Sequence, residues 1–473
     1  MKEVSFNAVM DRKNEIMKNS VGIDYEKYEY GELSFNYEKM MQDVGYSLED
    51  IINIQQETKV GETPIYELKN LNELIKKNAE KGKGAKIFLK DEAANASGSF
   101  KARRASLSAY HAKKEGYQGI IAATSGNYGS AVASQANQKG LNCIVAQEVF
   151  DSAKIGQPEI LEKTRKCEAY GAEVLQLTVG PELFYTLLKL LEETNYFNAS
   201  LYTPYGIAGV ETLGFEIAQD MLKINGKAPD AVVATHAGGG NITGTARGLM
   251  KAGAQDTILI GASVDLSGLH MASDKDFNKK SFTTGHTGFG VPMTTWPDRS
   301  DVPRSAARAL RYMDRYVTVS QGEVFYITEA LAQLEGLERG PAGNTSLAAA
   351  VSLAKEMNEN ETIVVQETEY TGAGKHPISQ LNFAKDHNIE VKRGNPEYNV
   401  PGENIIIPEN LNQFSVKDID IKKIKKKYIE NAVKYSGKQS VLEKDVEFLT
   451  EDANIDSDFV KDILDQMSVT IKK

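Results

Sequence analysis

Cysteine is scarce: the 473 residues contain two, Cys143 and Cys167. They are too few for a disulfide framework and form no CxxC pair for zinc or dithiol redox chemistry, so a reducing compartment is expected. The six histidines, His111, His236, His270, His286, His376 and His387, are dispersed, with no HExxH and no close pair at ligand spacing; metal catalysis is therefore disfavoured. No apolar run approaches the roughly 20 residues that span a bilayer. The opening stretch MKEVSFNAVMDRKNEIMKNS lacks the continuous apolar core of a signal peptide, so a cytoplasmic location is expected. Excess positive charge is missing too: 55 Lys and Arg stand against 65 Asp and Glu, a formal net charge of -10. That balance argues against a nucleic-acid partner, whose non-specific binding rests on a basic surface. No Gly-Lys pair is followed by Ser or Thr, which removes the phosphate-binding loop of nucleoside triphosphatases, and no internal repeat suggests a solenoid.

Apolar residues make up 41% of the chain, ample for a large core and too much for one globule of this length, so two domains with extensions are expected. From about Ala85, apolar runs of strand length alternate with amphipathic stretches. The segments AKIFLK, GIIAATS, NCIVAQEV, AEVLQLT, AVVATHA, TILIGASV and TIVVQET read as strands, and PELFYTLLKLLEETN and AGNTSLAAAVSLAKEM as helices. Crossovers of such length require a mainly parallel sheet covered on both faces, and the class is α/β. The first 56 or so residues and those after about Asn388 lack this rhythm and read as extensions. The latter opens with a loop rich in Asn and Pro and continues as the lysine-rich helical pattern IKKIKKKYIENAVKYSG, whose charges read as a solvated face.

In open α/β sheets, ligands sit beyond the carboxyl ends of the strands, where a glycine-rich turn lets the next helix aim free N–H groups at an anion. Four segments have that form: Ser97–Lys101 (SGSFK), Thr124–Tyr128 (TSGNY), His236–Asn241 (HAGGGN) and Tyr370–Gly374 (YTGAG). One such turn alone is more often structural, since glycine simply supplies positive φ. Their joint occurrence in this order is the signal.

Together these segments, over roughly residues 58–385, resemble the fold-type-II (tryptophan-synthase-β-like) pyridoxal-phosphate enzymes, which include threonine synthase, cysteine synthase and serine/threonine dehydratases. The resemblance implies two three-layer α/β/α domains with parallel sheets. Residues 58–95 and 206–388 would form the larger, cofactor-binding one, and residues 96–205 a smaller mobile one bearing the Schiff-base lysine, with extensions at 1–57 and 389–473. It implies pyridoxal 5'-phosphate as cofactor and Lys101 as its covalent anchor. A lysine must lose its proton to attack an aldehyde, a partly desolvated cleft favours that, and the freed amine can later move the substrate's Cα proton. Thr124, Ser125, Gly126, Asn127 and Tyr128 match the loop that grips the substrate carboxylate, with Asn127 also beside the cofactor's phenolic oxygen; an ordinary helix N-cap is the compatible plain reading. Gly238, Gly239, Gly240 and Asn241 would form the phosphate cup, small residues closing onto a helix dipole. Their spacing is not that of a dinucleotide fingerprint. Thr371 would place a hydroxyl against the pyridine nitrogen, with Glu367 or Glu369 as the alternative that would hold the nitrogen charged.

Within this family, KDEAANASGSFKARRAS, SLYTPYGIAGVETLGFEIA and ATHAGGGNITGTARG, with the long extensions, look most like the β subunits of 2-amino-4-ketopentanoate thiolases. That resemblance implies the reversible reaction of 2-amino-4-oxopentanoate with coenzyme A to give acetyl-CoA and alanine, D-alanine being the expected product, in ornithine degradation. It also implies a small α subunit as partner and an oligomer built on a homodimer of this chain. The alternatives are an amino-acid lyase or synthase of the threonine-synthase or diaminopropionate-lyase kind, which needs no coenzyme A, and a non-catalytic metabolite-binding regulator. Cys143 and Cys167 read as buried packing rather than acyl carriers. Arg103 and Arg104, two and three residues beyond Lys101, are expected on other sides of its helix in structural salt bridges. Trp296 is expected either at the substrate mouth or as a core anchor.

Overall fold

The computed structural model describes residues 2–124, 126–266, 280–286, 293–299, 302–370 and 376–472. Its main strands are β1 (Ile65–Glu67), β2 (Lys86–Asp91), β3 (Gly119–Thr124), β4 (Asn142–Phe150), β5 (Glu173–Thr178), β6 (Phe197–Asn198), β7 (Ala231–Thr235), β8 (Ile258–Val264), β9 (Arg315–Val319) and β10 (Thr362–Glu367). They are followed by β11 (Glu390–Arg393), β12 (Asn404–Ile407) and β13 (Lys417–Asp418). One sheet runs β1-β2-β10-β7-β8-β9-β13 and the other β5-β4-β3-β6. Pairing is parallel throughout except at the two edges of the larger sheet, β1 on β2 and β13 on β9. The seven apolar runs marked in the sequence are β2, β3, β4, β5, β7, β8 and β10.

Side chains alternate across a strand, and here the alternation divides the core. Leu89, Val233, Ile260 and Val365 point into a cluster with Leu347, Val351, Val324 and Ile327, from helices Asn344–Glu356 and Gln321–Glu335. Their neighbours Phe88, Val232, Leu259 and Val364 join Val210, Leu213, Ile242 and Leu249, from helices Pro204–Asn225 and Gly240–Lys251. With helices on both faces, a strand has no polar side to display, which is why these strands read as unbroken apolar runs. In the smaller sheet, Ile120 and Val145 face helix Asn127–Lys139, and Ile121, Ala123 and Ala146 face Leu183, Leu187 and Leu191 of helix Glu182–Thr194.

The amino-terminal arm is packed rather than trailing: Val9 and Ile16 complete that last cluster, and Arg12 pairs with Glu192 at 2.8 Å. The carboxylate of Asp445 accepts the backbone N–H groups of Leu33 and Ser34 at 2.9 and 3.0 Å, so the two extensions are tied to each other. The carboxyl-terminal extension is not purely helical, since β11 and β12 pair in parallel and β13 adds an edge to the larger sheet. Among the described residues no helix is long and apolar enough to cross a membrane.

Candidate active site

Lys101 is the first residue of helix Lys101–Lys114, and the segment before it is pinned to the carboxyl end of β10. Phe100 N–H donates to Thr368 O at 3.0 Å, Tyr370 N–H to Gly98 O at 2.8 Å, and Lys166 Nζ to Ser97 O at 2.6 Å. Gly98 has φ +74°, which supplies the bend. The helix itself is held by Arg103. That side chain is wholly buried, with Nε 2.7 Å from Glu92 and Nη2 2.8 Å from Glu216. A Cβ on Gly209 would lie 2.2 Å from Arg103 O, so only glycine lets helix Pro204–Asn225 approach this closely.

A cavity of about 180 Å³ opens above Lys101, bounded by the Gly238–Gly240 turn, Asn241, Arg104, Lys163, Tyr202, His286 and Glu369. It lies beyond the carboxyl ends of β7 and β10, as expected for an α/β sheet. Gly239 has φ +86° and caps helix Gly240–Lys251, whose free N–H groups therefore open toward the cavity wall. A Cβ on Gly240 would lie 2.6 Å from a guanidinium nitrogen of Arg104. The Nδ2 atoms of Asn127 and Asn241, the Nε of Arg104 and the Oγ of Ser99 are buried without a partner among the described residues.

Burial pushes the Lys101 ammonium down to about 8; Glu369 opposes that shift, while Lys163 and Arg104 reinforce it. The second lysine in the cavity is in the opposite condition. Burial works against the charge of Lys163, but its ion pair with Glu159 and the field of Glu369 outweigh burial and raise its pKa. His286 is pushed down to about 3 by burial and then by Lys163 and Lys101, so it is a neutral imidazole at the cavity wall. Of two amines in one pocket, Lys101 is thus the one poised to lose its proton.

Lys101, Gly238, Gly239, Gly240 and Asn241 all line the cavity. The carboxylate-loop candidates stand one layer back. Thr124 Oγ1 accepts from Gly126 N–H at 2.9 Å and Gly129 N–H at 3.2 Å, fixing the turn, and Gly126 abuts the lining residues His286 and Lys163. Asn127 opens the following helix. The Tyr128 ring is buried in the core, and its hydroxyl donates to Ala199 O at 2.5 Å, so that residue has its backbone near the site and its side chain elsewhere. Ser125 and Thr371 lie outside the described residues. Glu369 lines the cavity, whereas Glu367 does not.

Arg104 departs from its expected structural salt bridge. Two residues turn a helix by about 200° and three by about 300°. Arg103 therefore faces away from Lys101, into its acids, while Arg104 returns to within about 60° of Lys101 and shares its face. Lys163 and His286 also escaped the sequence reading, because nothing local ties them to the four glycine turns. Cys143 and Cys167 are buried, and burial pushes both thiols up to about 12, which fits packing and not acyl carriage. Trp296 stands off the cavity, edge-on to Tyr435 at 5.5 Å.

The family model described as "Pyridoxal-phosphate dependent enzyme" matches residues 57–369. A 2-amino-4-ketopentanoate thiolase beta subunit from Acetoanaerobium sticklandii is 64% identical over 460 residues, covering 97% of this chain and 98% of the relative. A second protein of that name, from an unknown prokaryotic organism, is 62% identical over 470 residues, covering 99% of this chain and 100% of the relative. Among solved structures, a pyridoxal 5'-phosphate-dependent aspartate racemase aligns at TM-score 0.54 with 17% identity, covering 69% of this chain and 95% of the racemase; this last likeness concerns the fold alone.

Proposed function

We infer the reaction from a premise that these matches establish: the chain belongs to the pyridoxal-phosphate-dependent enzymes, and among them to the 2-amino-4-ketopentanoate thiolase β subunits. The cavity fits that cofactor. Lys101 offers an amine held near neutrality for its aldehyde, Gly238–Gly240 a cradle at a helix N-terminus for its phosphate, and Asn241 an unpartnered donor for its oxygens, with the unpartnered amide of Asn127 one layer behind. When bound, pyridoxal phosphate supplies an electron sink that acidifies the carbons next to an amino group.

On this reading the protein and coenzyme A cleave 2-amino-4-oxopentanoate between C3 and C4. The thiol sulfur bonds to C4, the C3–C4 electron pair stays on C3, and a proton replaces the lost acetyl group, giving acetyl-CoA and alanine. D-Alanine is the product the family resemblance implies, and ornithine breakdown the setting. Lys101 moves the proton at the substrate's Cα, its amine being partly neutral at physiological pH. The turn of Thr124, Ser125, Gly126, Asn127 and Tyr128 orients the substrate carboxylate through backbone N–H groups. Neutral His286 and charged Lys163 give the cavity a polar ring that stays uncharged and a fixed cation besides Lys101. For the pyridine nitrogen, Thr371 remains our assignment, with the cavity-lining Glu369 as its rival. Residues 96–205 are proposed to move as a unit against 58–95 with 206–388, excluding water when substrate binds.

The single observation behind this reading is a lysine amine poised to deprotonate opposite a glycine cradle, in a chain alike from end to end with those β subunits. Their name supports a companion, the small α subunit. We assign to it the thioester pocket or any acyl-carrying residue, since both thiols here are buried and protonated. A homodimeric core and a cytoplasmic location complete the proposal. The isolated chain should exchange the Cα hydrogen of alanine for deuterium in heavy water without coenzyme A, while releasing ammonia from serine or 2,3-diaminopropionate slowly. Mass spectrometry and an ammonia assay read both; rapid ammonia release with no dependence on coenzyme A would favour a lyase instead.

A further inference from the structure

Arg104 is in a position no stable cation occupies alone. It is 4% exposed, its Nε has no partner, and among the described residues no carboxylate pairs with it. Among the described residues it makes one hydrogen bond, to Leu201 O, long at 3.5 Å, and its guanidinium lies 5.3 Å from the centre of the Phe100 ring. The contrast with Arg103, one residue earlier and saturated by two glutamates, shows that this fold pairs its buried guanidinium groups where an acid is available. The guanidinium fills the space where Gly240 has no side chain, directly at the start of helix Gly240–Lys251. A helix N-terminus carries partial positive charge. Burial, lack of a counter-charge and the adjoining dipole thus all oppose the cation, and an anion between guanidinium and glycine turn reverses all three.

We propose that Arg104 is the cationic partner of the cofactor's phosphate, closing the anion site that Gly238–Gly240 opens; this rests on reading that turn as the phosphate cup. A substrate carboxylate fits less well. It comes and goes with turnover and belongs at the Thr124–Tyr128 turn, whereas a cation buried at this depth needs a resident counter-ion. A phosphate dianion can accept from the helix N–H groups on one side and from the guanidinium fork on the other.

The test uses the full chain freed of cofactor and two ligands that differ by the phosphate alone, pyridoxal phosphate and pyridoxal. Arg104→Met should weaken pyridoxal phosphate about 30- to 100-fold, the scale of a lost charge-assisted pair, and change pyridoxal affinity by no more than about threefold. Inorganic phosphate should compete with pyridoxal phosphate in the unaltered chain and not in the variant. Circular dichroism checks folding; if the methionine variant does not fold, Arg104→Lys, which keeps charge but not the fork, should show an intermediate loss confined to the phosphorylated ligand. Equal losses for both ligands, or unchanged pyridoxal phosphate affinity with a raised substrate KM, would overturn the proposal. If the unaltered chain itself does not prefer pyridoxal phosphate to pyridoxal, the phosphate cup is wrong and the proposal falls with it.

Discussion

Lys101→Ala is expected to yield a folded chain that holds no covalently attached cofactor after borohydride reduction and turns over at least about a thousandfold more slowly, because anchor and proton carrier are lost together. Folding should survive, since the helix is fixed by Arg103, Glu92 and Glu216 rather than by Lys101, and alanine favours a helix. In the unaltered chain, peptide mapping should find the reduced cofactor on Lys101 and not on Lys163, which Glu159 keeps charged. The attacking species is the free amine, and a lowered pKa makes it available at lower pH. Attachment should therefore speed up as pH rises toward about 8 and level off above it, whereas an ordinary lysine would still be accelerating near pH 10. Label on another lysine would remove the assignment.

Gly239→Leu and Gly240→Val are each expected to weaken pyridoxal phosphate binding at least about a hundredfold, by two different routes. Gly239 sits at φ +86°, and its Cβ would lie 3.0 Å from that of Ala309, away from the anion's space. Leucine there must change the backbone and so disperse the N–H groups. Gly240 is where a side chain meets the binding face itself, because its Cβ would overlap the Arg104 guanidinium. Cofactor titration with a folding check measures both. Unchanged affinity in a folded Gly240→Val chain would move the phosphate elsewhere.

Seven strands and the cavity-lining Lys101 were legible because their causes are local. A strand covered on both faces must be largely apolar, as β3 and β7 are, and a turn that opens a helix at an anion site needs small residues in a row. What escaped was mostly short, peripheral or assembled from afar, although β9, a buried strand of five residues between β8 and β13, escaped as well. β1 is a partly exposed edge of three residues and β6 has two, so neither gives a periodic signal. Lys163 and His286 reach the cavity from segments that no glycine turn marks. Arg104 was legible in principle, since three residues bring a helix back to nearly the same face, but it reads as another salt-bridging cation until Arg103 is seen to take the nearby acids. The turn at Thr124–Tyr128 shows the converse: its spacing matches a carboxylate loop, yet the Tyr128 side chain serves the core through Ala199.

The most direct test of the central claim is an assay of the purified chain, with and without its proposed small partner subunit, for coenzyme-A-dependent cleavage of 2-amino-4-oxopentanoate. The account predicts acetyl-CoA and alanine in equal amounts when both polypeptides are present. Cleavage should be slow or absent with this chain alone, even though the chain alone binds cofactor and exchanges the Cα hydrogen of alanine. No acetyl-CoA from the reconstituted pair would contradict the thiolase reading, and full coenzyme-A-dependent turnover by the single chain would contradict the division of labour between two subunits.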